Sequence, residues 1–257
     1  MKKIIVGNWK MNPPTPKEAK SIFSAIKKTA SSLRNVETII CPPAVYISEL
    51  RKIVSGHRCT IGAQDVSYDR QGAHTGEVSV KMLRGLGVGH VVIGHSERRA
   101  KGETDEDVNK KVTAVLKEGL SAIVCVGESE RDDHGVYTKF IESQIRSALR
   151  NVKKNWLGRV IIAYEPLWAI GKDAPRAANP EDVLESSILI RKIISDMFGI
   201  GVSNKVAVLY GGSVDHKNTQ GFLDSGEADG LLVGRASVES SKFIQILHVA
   251  DSIKKEN

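Results

Sequence analysis

Short continuous apolar runs alternate with longer amphipathic segments along this chain, and the alternation repeats eight times. The runs cover residues 3–7, 36–41, 59–63, 90–93, 122–126, 160–163, 206–210 and 230–233. They are rich in Val and Ile and stay apolar at successive positions. A strand with one wet face alternates polar and apolar residues, whereas a strand covered on both faces has no need to. The runs therefore predict a parallel sheet buried on both sides.

The intervening segments read as helices. Ile22, Ile26 and Ala30 share a face, as do Val108, Val112, Val115 and Leu116. Phe140, Ile141, Ile145, Ala148 and Leu149 form a third apolar face, and Val183, Ser187, Ile190, Ile194 and Phe198 a fourth. Helix starts carry the expected chemistry in Pro16-Lys17-Glu18, Thr104-Asp105-Glu106-Asp107 and Asn179-Pro180-Glu181-Asp182, while Gly56, Gly119 and Gly199 punctuate helix ends. Eight parallel strands with crossover helices close into a barrel, so the fold class is α/β, a single (β/α)8 barrel. A doubly wound open sheet is the rival, but no GxGxxG follows an early strand. No linker or composition shift divides the chain, which predicts one domain over residues 1–257.

Charge and cysteines narrow the class of function. The net charge is +7, yet acids interrupt the basic residues, as in 103–111, and aromatics make up only 5%. This is a solvated basic surface and no nucleic-acid partner is expected. Residues 1–6 hold two lysines and too short an apolar stretch for a signal peptide, and no run approaches a membrane span, so a cytoplasmic protein with no membrane partner is expected. Cys41, Cys59 and Cys125 are far apart and lack any ligand spacing. They read as small buried hydrophobes, with no metal.

In a barrel, function gathers at the C-terminal ends of the strands. Unusual polar residues stand at those ends here. Gly7-Asn8-Trp9-Lys10-Met11-Asn12 follows the first strand, and Ile93-Gly94-His95-Ser96-Glu97-Arg98-Arg99 the fourth. Tyr164-Glu165-Pro166-Leu167-Trp168-Ala169-Ile170-Gly171 follows the sixth, Tyr210-Gly211-Gly212-Ser213-Val214 the seventh and Gly234-Arg235-Ala236-Ser237 the eighth. A cation, an imidazole and a carboxylate thus converge on one rim. The glycine-rich loops after strands seven and eight lie where barrels bind phosphate through backbone N–H groups.

These motifs resemble the triosephosphate isomerase family, the prototype of the TIM barrel, and Ala63-Gln64-Asp65 with Gly72-Ala73-His74-Thr75-Gly76-Glu77-Val78 is similar to that family's third loop. The resemblance spans the chain in the family's order. It implies interconversion of D-glyceraldehyde 3-phosphate and dihydroxyacetone phosphate through an enediolate, without metal or cofactor. It implies Glu165 as the base and His95 and Lys10 as stabilisers of the enediolate oxygen, with Asn8 assisting and Glu97 positioning Lys10 or relaying a proton. A neutral histidine facing a helix N-terminus is also implied, and this family is itself the standard worked case. Phosphate would meet the backbone N–H groups of Gly171, Ser213, Gly234 and Arg235, beside Asn8 and Lys10. The same resemblance implies a homodimer in which the third loop reaches the partner's Lys10/His95 region.

Three departures stand out. Lys172-Asp173-Ala174-Pro175-Arg176-Ala177-Ala178-Asn179 lacks the glycine-rich hinge of a family lid and runs about two residues longer, so Pro175 is expected to stiffen it and alter lid opening. Arg235 stands where glycine is common, and His74 where an aromatic is usual. Two other readings remain at this point: a barrel enzyme acting on a larger, ribose-derived sugar phosphate, and a barrel kept as a non-catalytic binding protein.

Overall fold

A computed structural model describes residues 2–132, 134–171 and 174–253. Its eight strands are β1 (Lys3–Asn8), β2 (Val36–Cys41), β3 (Cys59–Ala63), β4 (His90–Ile93), β5 (Ser121–Val126), β6 (Val160–Tyr164), β7 (Ala207–Tyr210) and β8 (Gly230–Val233). Each predicted run is a strand, with ends that differ by no more than one residue. All neighbours are parallel, in the order β1 to β8, and β8 returns to pair with β1 through Ile5↔Leu231 and Val6↔Leu232. The sheet is a closed barrel.

Why the runs are continuous is visible in the packing. Alternate residues point inward, where Val6, Ile39, Val92, Ile123, Cys125, Ile161, Ala163, Leu209 and Leu232 form one buried cluster. The residues between them, such as Ala122, Val124 and Val126, join the cluster that also holds the helical Val108, Val112 and Val115. Both faces are dry, and each fully buried Val, Ile or Leu stabilises the fold by about 1.5–3 kcal/mol. Cys41, Cys59 and Cys125 are free and buried.

The helices are α1 (Pro16–Ala30), α2 (Ala44–Arg51), α3 (Val80–Gly85), α4 (Ser96–Arg99), α5 (Asp105–Lys117), α6 (Val136–Ala148), α7 (Pro180–Phe198), α8 (Ile200–Ser203), α9 (Thr219–Leu223) and α10 (Ser240–Ser252). Local chemistry sets their starts. Thr15 caps α1 ahead of Pro16, and Thr104 with Asp107 and Asn179 with Asp182 form reciprocal capping boxes on α5 and α7. One predicted face needs correction. On α6, Ile141, Ile145 and Ala148 are buried, but Phe140 is half exposed, because it sits about 100° around the helix from Ile141. No helix among the described residues is long and apolar enough to cross a membrane.

Candidate active site

Strand alternation places the site. Beyond the inward Ile161 and Ala163 of β6, the next residue of the same parity is Glu165, which arrives at the barrel mouth buried to 3% exposure. Its main chain is fixed by Glu165 N–H donating to Val126 O at 2.8 Å, while Gly211 N–H donates to Tyr164 O at 2.8 Å. Cys125, inward on β5, lies against this carboxylate, and burial together with the Glu165 charge pushes its thiol far above the ordinary range. Cys125 is thus an inert packing group.

After β4 the chain turns into the short helix α4, with His95 as its N-cap. The Glu97 backbone N–H donates to His95 Nδ1 at 3.1 Å. That bond requires a lone pair on Nδ1, so the imidazole carries its proton on Nε2. Nε2 lies 3.2 Å from Glu165 Oε1, and the Ser96 backbone N–H donates to Glu165 Oε2 at 3.0 Å. The fourth and sixth strands therefore meet directly.

The first strand joins through a sharp turn. Lys10 adopts φ +53°, a left-handed conformation rare outside glycine, and the turn is held by its own N–H donating to Asn8 Oδ1 at 3.1 Å. Gln64 Nε2 donates to Lys10 O at 2.8 Å and to Cys41 O at 2.9 Å. The ammonium thus turned inward meets Glu97 Oε1 at 2.7 Å. Partial burial pushes the Glu97 carboxyl upward, but Lys10, with His95 and Lys101 behind it, outweighs this and holds it below the usual carboxylate range. An unbroken line of contacts results, from Lys10 through Glu97 and His95 to Glu165. Asn8 is buried, and its Oδ1 shapes the Lys10 turn.

The two glycine-rich loops border this line. A Cβ on Gly234 would stand 3.4 Å from Lys10 Cε, and one on Gly211 would stand 3.0 Å from Glu165 Cγ. Gly171, after β6, and Ser213 and Arg235, on the two glycine-rich loops, are exposed, and Arg235 opens a short 3-10 turn, Arg235–Val238. Among the described residues, no group of three or more His, Cys, Asp or Glu side chains is placed to hold a metal ion.

With this geometry in view, comparison with known proteins decides the family. A family model described as triosephosphate isomerase matches residues 3–250. The chain belongs to the triosephosphate isomerase family. It is 44% identical over 249 residues to the triosephosphate isomerase of Natranaerobius thermophilus, covering 96% of this chain and 95% of that one. It is 39% identical to that of Dehalococcoides mccartyi, with 98% of each chain covered, and 39% identical to that of Aquifex aeolicus, with 96% and 99% covered.

A triosephosphate isomerase site also rests on residues that sequence reasoning passed over. Glu128, 2% exposed, accepts from Tyr164 OH at 2.8 Å and from Trp168 Nε1 at 2.7 Å, both on Oε1. Burial raises its pKa, and the two hydrogen bonds and the Arg131 charge only partly oppose this. Glu128 thereby pins the indole at the foot of the segment after Glu165. Of the expected lid residues, Lys172 and Asp173 lie outside the described residues, while 174–179 run back to the α7 cap.

Proposed function

We propose that Glu165 carries the proton in the interconversion of D-glyceraldehyde 3-phosphate and dihydroxyacetone phosphate, the isomerisation that this chain performs in glycolysis and gluconeogenesis. The observation that supports this assignment is the contact line from Lys10 through Glu97 and His95 to Glu165. Glu165 removes a proton from the carbon beside the substrate carbonyl and returns it to the neighbouring carbon. Charge builds on the carbonyl oxygen in between. The His95 Nε2–H and the Lys10 ammonium, which face the carboxylates of Glu165 and Glu97, are the donors that stabilise that oxygen as it develops. Glu97 holds Lys10 in this pose, and Asn8 fixes the turn that presents it.

The substrate's phosphate is held by the backbone N–H groups of Gly171, Ser213, Gly234 and Arg235, with the Lys10 ammonium adding a positive charge nearby. Internal proton transfer of this kind calls for no cofactor. The protein is read as one barrel domain over residues 1–257, working in the cytoplasm as a homodimer. The exposed loop at 71–77 and the exposed side chains of Met11, Val45 and Met82 support a dimer contact, which light scattering would report as twice the mass of 28.0 kDa.

Incubation with glyceraldehyde 3-phosphate in heavy water tests the assignment. Deuterium should enter the carbon next to the carbonyl as dihydroxyacetone phosphate forms. Glu165→Asp withdraws the carboxylate by one methylene and should lower kcat by about 100-fold or more. Turnover within tenfold of the parent would refute Glu165 as the base.

A further inference from the structure

We infer that Gln144 is a positioning residue for the reaction: from the buried face of α6 it holds the end of β5, and the end of β5 is the shelf on which Glu165 rests. The inference builds on the reading of Glu165 as the base.

Gln144 is out of keeping with its surroundings. The buried face of α6 is otherwise Tyr137, Ile141, Ile145 and Ala148, and Gln144 among them is only 4% exposed. An amide in such a layer costs stability unless it is hydrogen-bonded. Its Oε1 accepts from the buried Gly127 N–H at 2.8 Å. The sheet explains why Gly127 needs that partner. β4 pairs with β5 as far as Ile93↔Val124, whereas β6 continues to Val126↔Tyr164. Past Val124 the strand is paired with β6 and no longer with β4. Gln144 supplies an anchor where the β4 ladder has ended.

What Gln144 holds is in direct contact with Glu165. The Glu165 N–H donates to Val126 O at 2.8 Å and the Leu167 N–H to Glu128 O at 2.9 Å, so residues 126–128 carry the main chain on both sides of Glu165 Cα. Between these two bonds the backbones are laid one on the other: a Cβ on Gly127 would stand 1.8 Å from Glu165 O. No side chain lies between them to absorb a displacement, so a shift of Gly127 passes to Glu165. The carboxylate is anchored elsewhere, to the Ser96 N–H at 3.0 Å and beside His95 Nε2 at 3.2 Å. Moving the shelf therefore moves Glu165 relative to the imidazole it works with. Without the Gln144 acceptor the Gly127 N–H is buried and unsatisfied, which drives such a shift.

Gln144→Met keeps the length of the side chain and removes the acceptor, and Gln144→Asn draws it back by one methylene. Gln144→Glu retains an acceptor oxygen at the same reach, whether or not its carboxyl is protonated. With glyceraldehyde 3-phosphate as substrate, kcat should be about tenfold lower in the Met and Asn variants, the scale of a displacement of a few tenths of an ångström, with KM little changed. Deuterium at the carbon that loses its proton should slow these two variants more than the parent, because proton transfer then limits turnover. Gln144→Glu should keep kcat within about twofold of the parent, even where its melting temperature falls as low as theirs. If Gln144→Met stays unfolded, the contrast between Asn and Glu decides. Parental kcat in the Met and Asn variants, or Gln144→Glu as slow as they are, overturns the positioning role. Glu165→Asp measured alongside keeps the two readings apart. If it turns over near the parental rate, the reading of Glu165 as base falls; if it is slow while Gln144→Met is not, the positioning role alone falls.

Discussion

Gly211 shows how narrow the tolerances around the Glu165 carboxylate are. An added Cβ would sit 3.0 Å from Glu165 Cγ, closer than ordinary contact, and Glu165 is too buried to step aside freely. Gly211→Ala should displace the carboxylate by several tenths of an ångström. The expected result is a kcat about 10- to 100-fold lower with KM little changed, checked by steady-state kinetics. Lys10, His95 and Glu165 were legible in the sequence, because a charged or imidazole side chain ending an apolar strand stands out. Glu128 was not. Its role depends on Tyr164 and Trp168, 36 and 40 residues away, and nothing in the local sequence shows that they converge on it. The Ser96 contact was invisible for a different reason: a backbone N–H carries no residue identity.

Among the elements, α5 carries an unusual burden. Lys111 lies on its buried face, 6% exposed, where it pairs with Glu103 and with Asp65 at 2.6 Å, and Asp65 also takes Arg98 at 2.8 Å. Burial alone would depress the Lys111 pKa, but the two carboxylates reverse this and raise it. The network locks the loop after β3 to the α4–α5 connection, directly behind His95. Lys111→Met leaves the carboxylates of Glu103 and Asp65 facing each other with less compensation. It should cost about 3–5 kcal/mol, read from the urea midpoint. Element boundaries were legible because two dry faces and well-formed caps mark them locally. The polar interior of α5 was not, since a lysine among Asp105, Glu106, Asp107 and Lys110 reads as solvated until its partners are seen.

Across the whole molecule, the candidate site and a buried, pH-sensitive histidine stand at opposite ends of the strands. His90 opens β4 at the end away from Glu165, with Glu37 Oε1 4.0 Å from its Nε2 and, among the described residues, no partner on Nδ1. Burial lowers its pKa from 6.5 to about 4. The unfolded chain takes up a proton near pH 6.5 that the folded one refuses, so stability is complete above that pH and declines as pH falls toward 4. The loss amounts to roughly 3 kcal/mol. His90→Gln should flatten this part of the acid profile, which melting temperatures between pH 7 and 4.5 would reveal.

The circular closure of β8 onto β1 carries its own consequence. Every stave of the wall is bonded on both sides, so the native molecule offers a wandering chain no free edge on which to add a strand. Fibril-like association then has to wait until the ring parts. The small population of opened molecules, rather than the abundance of native ones, governs how fast such material can accumulate.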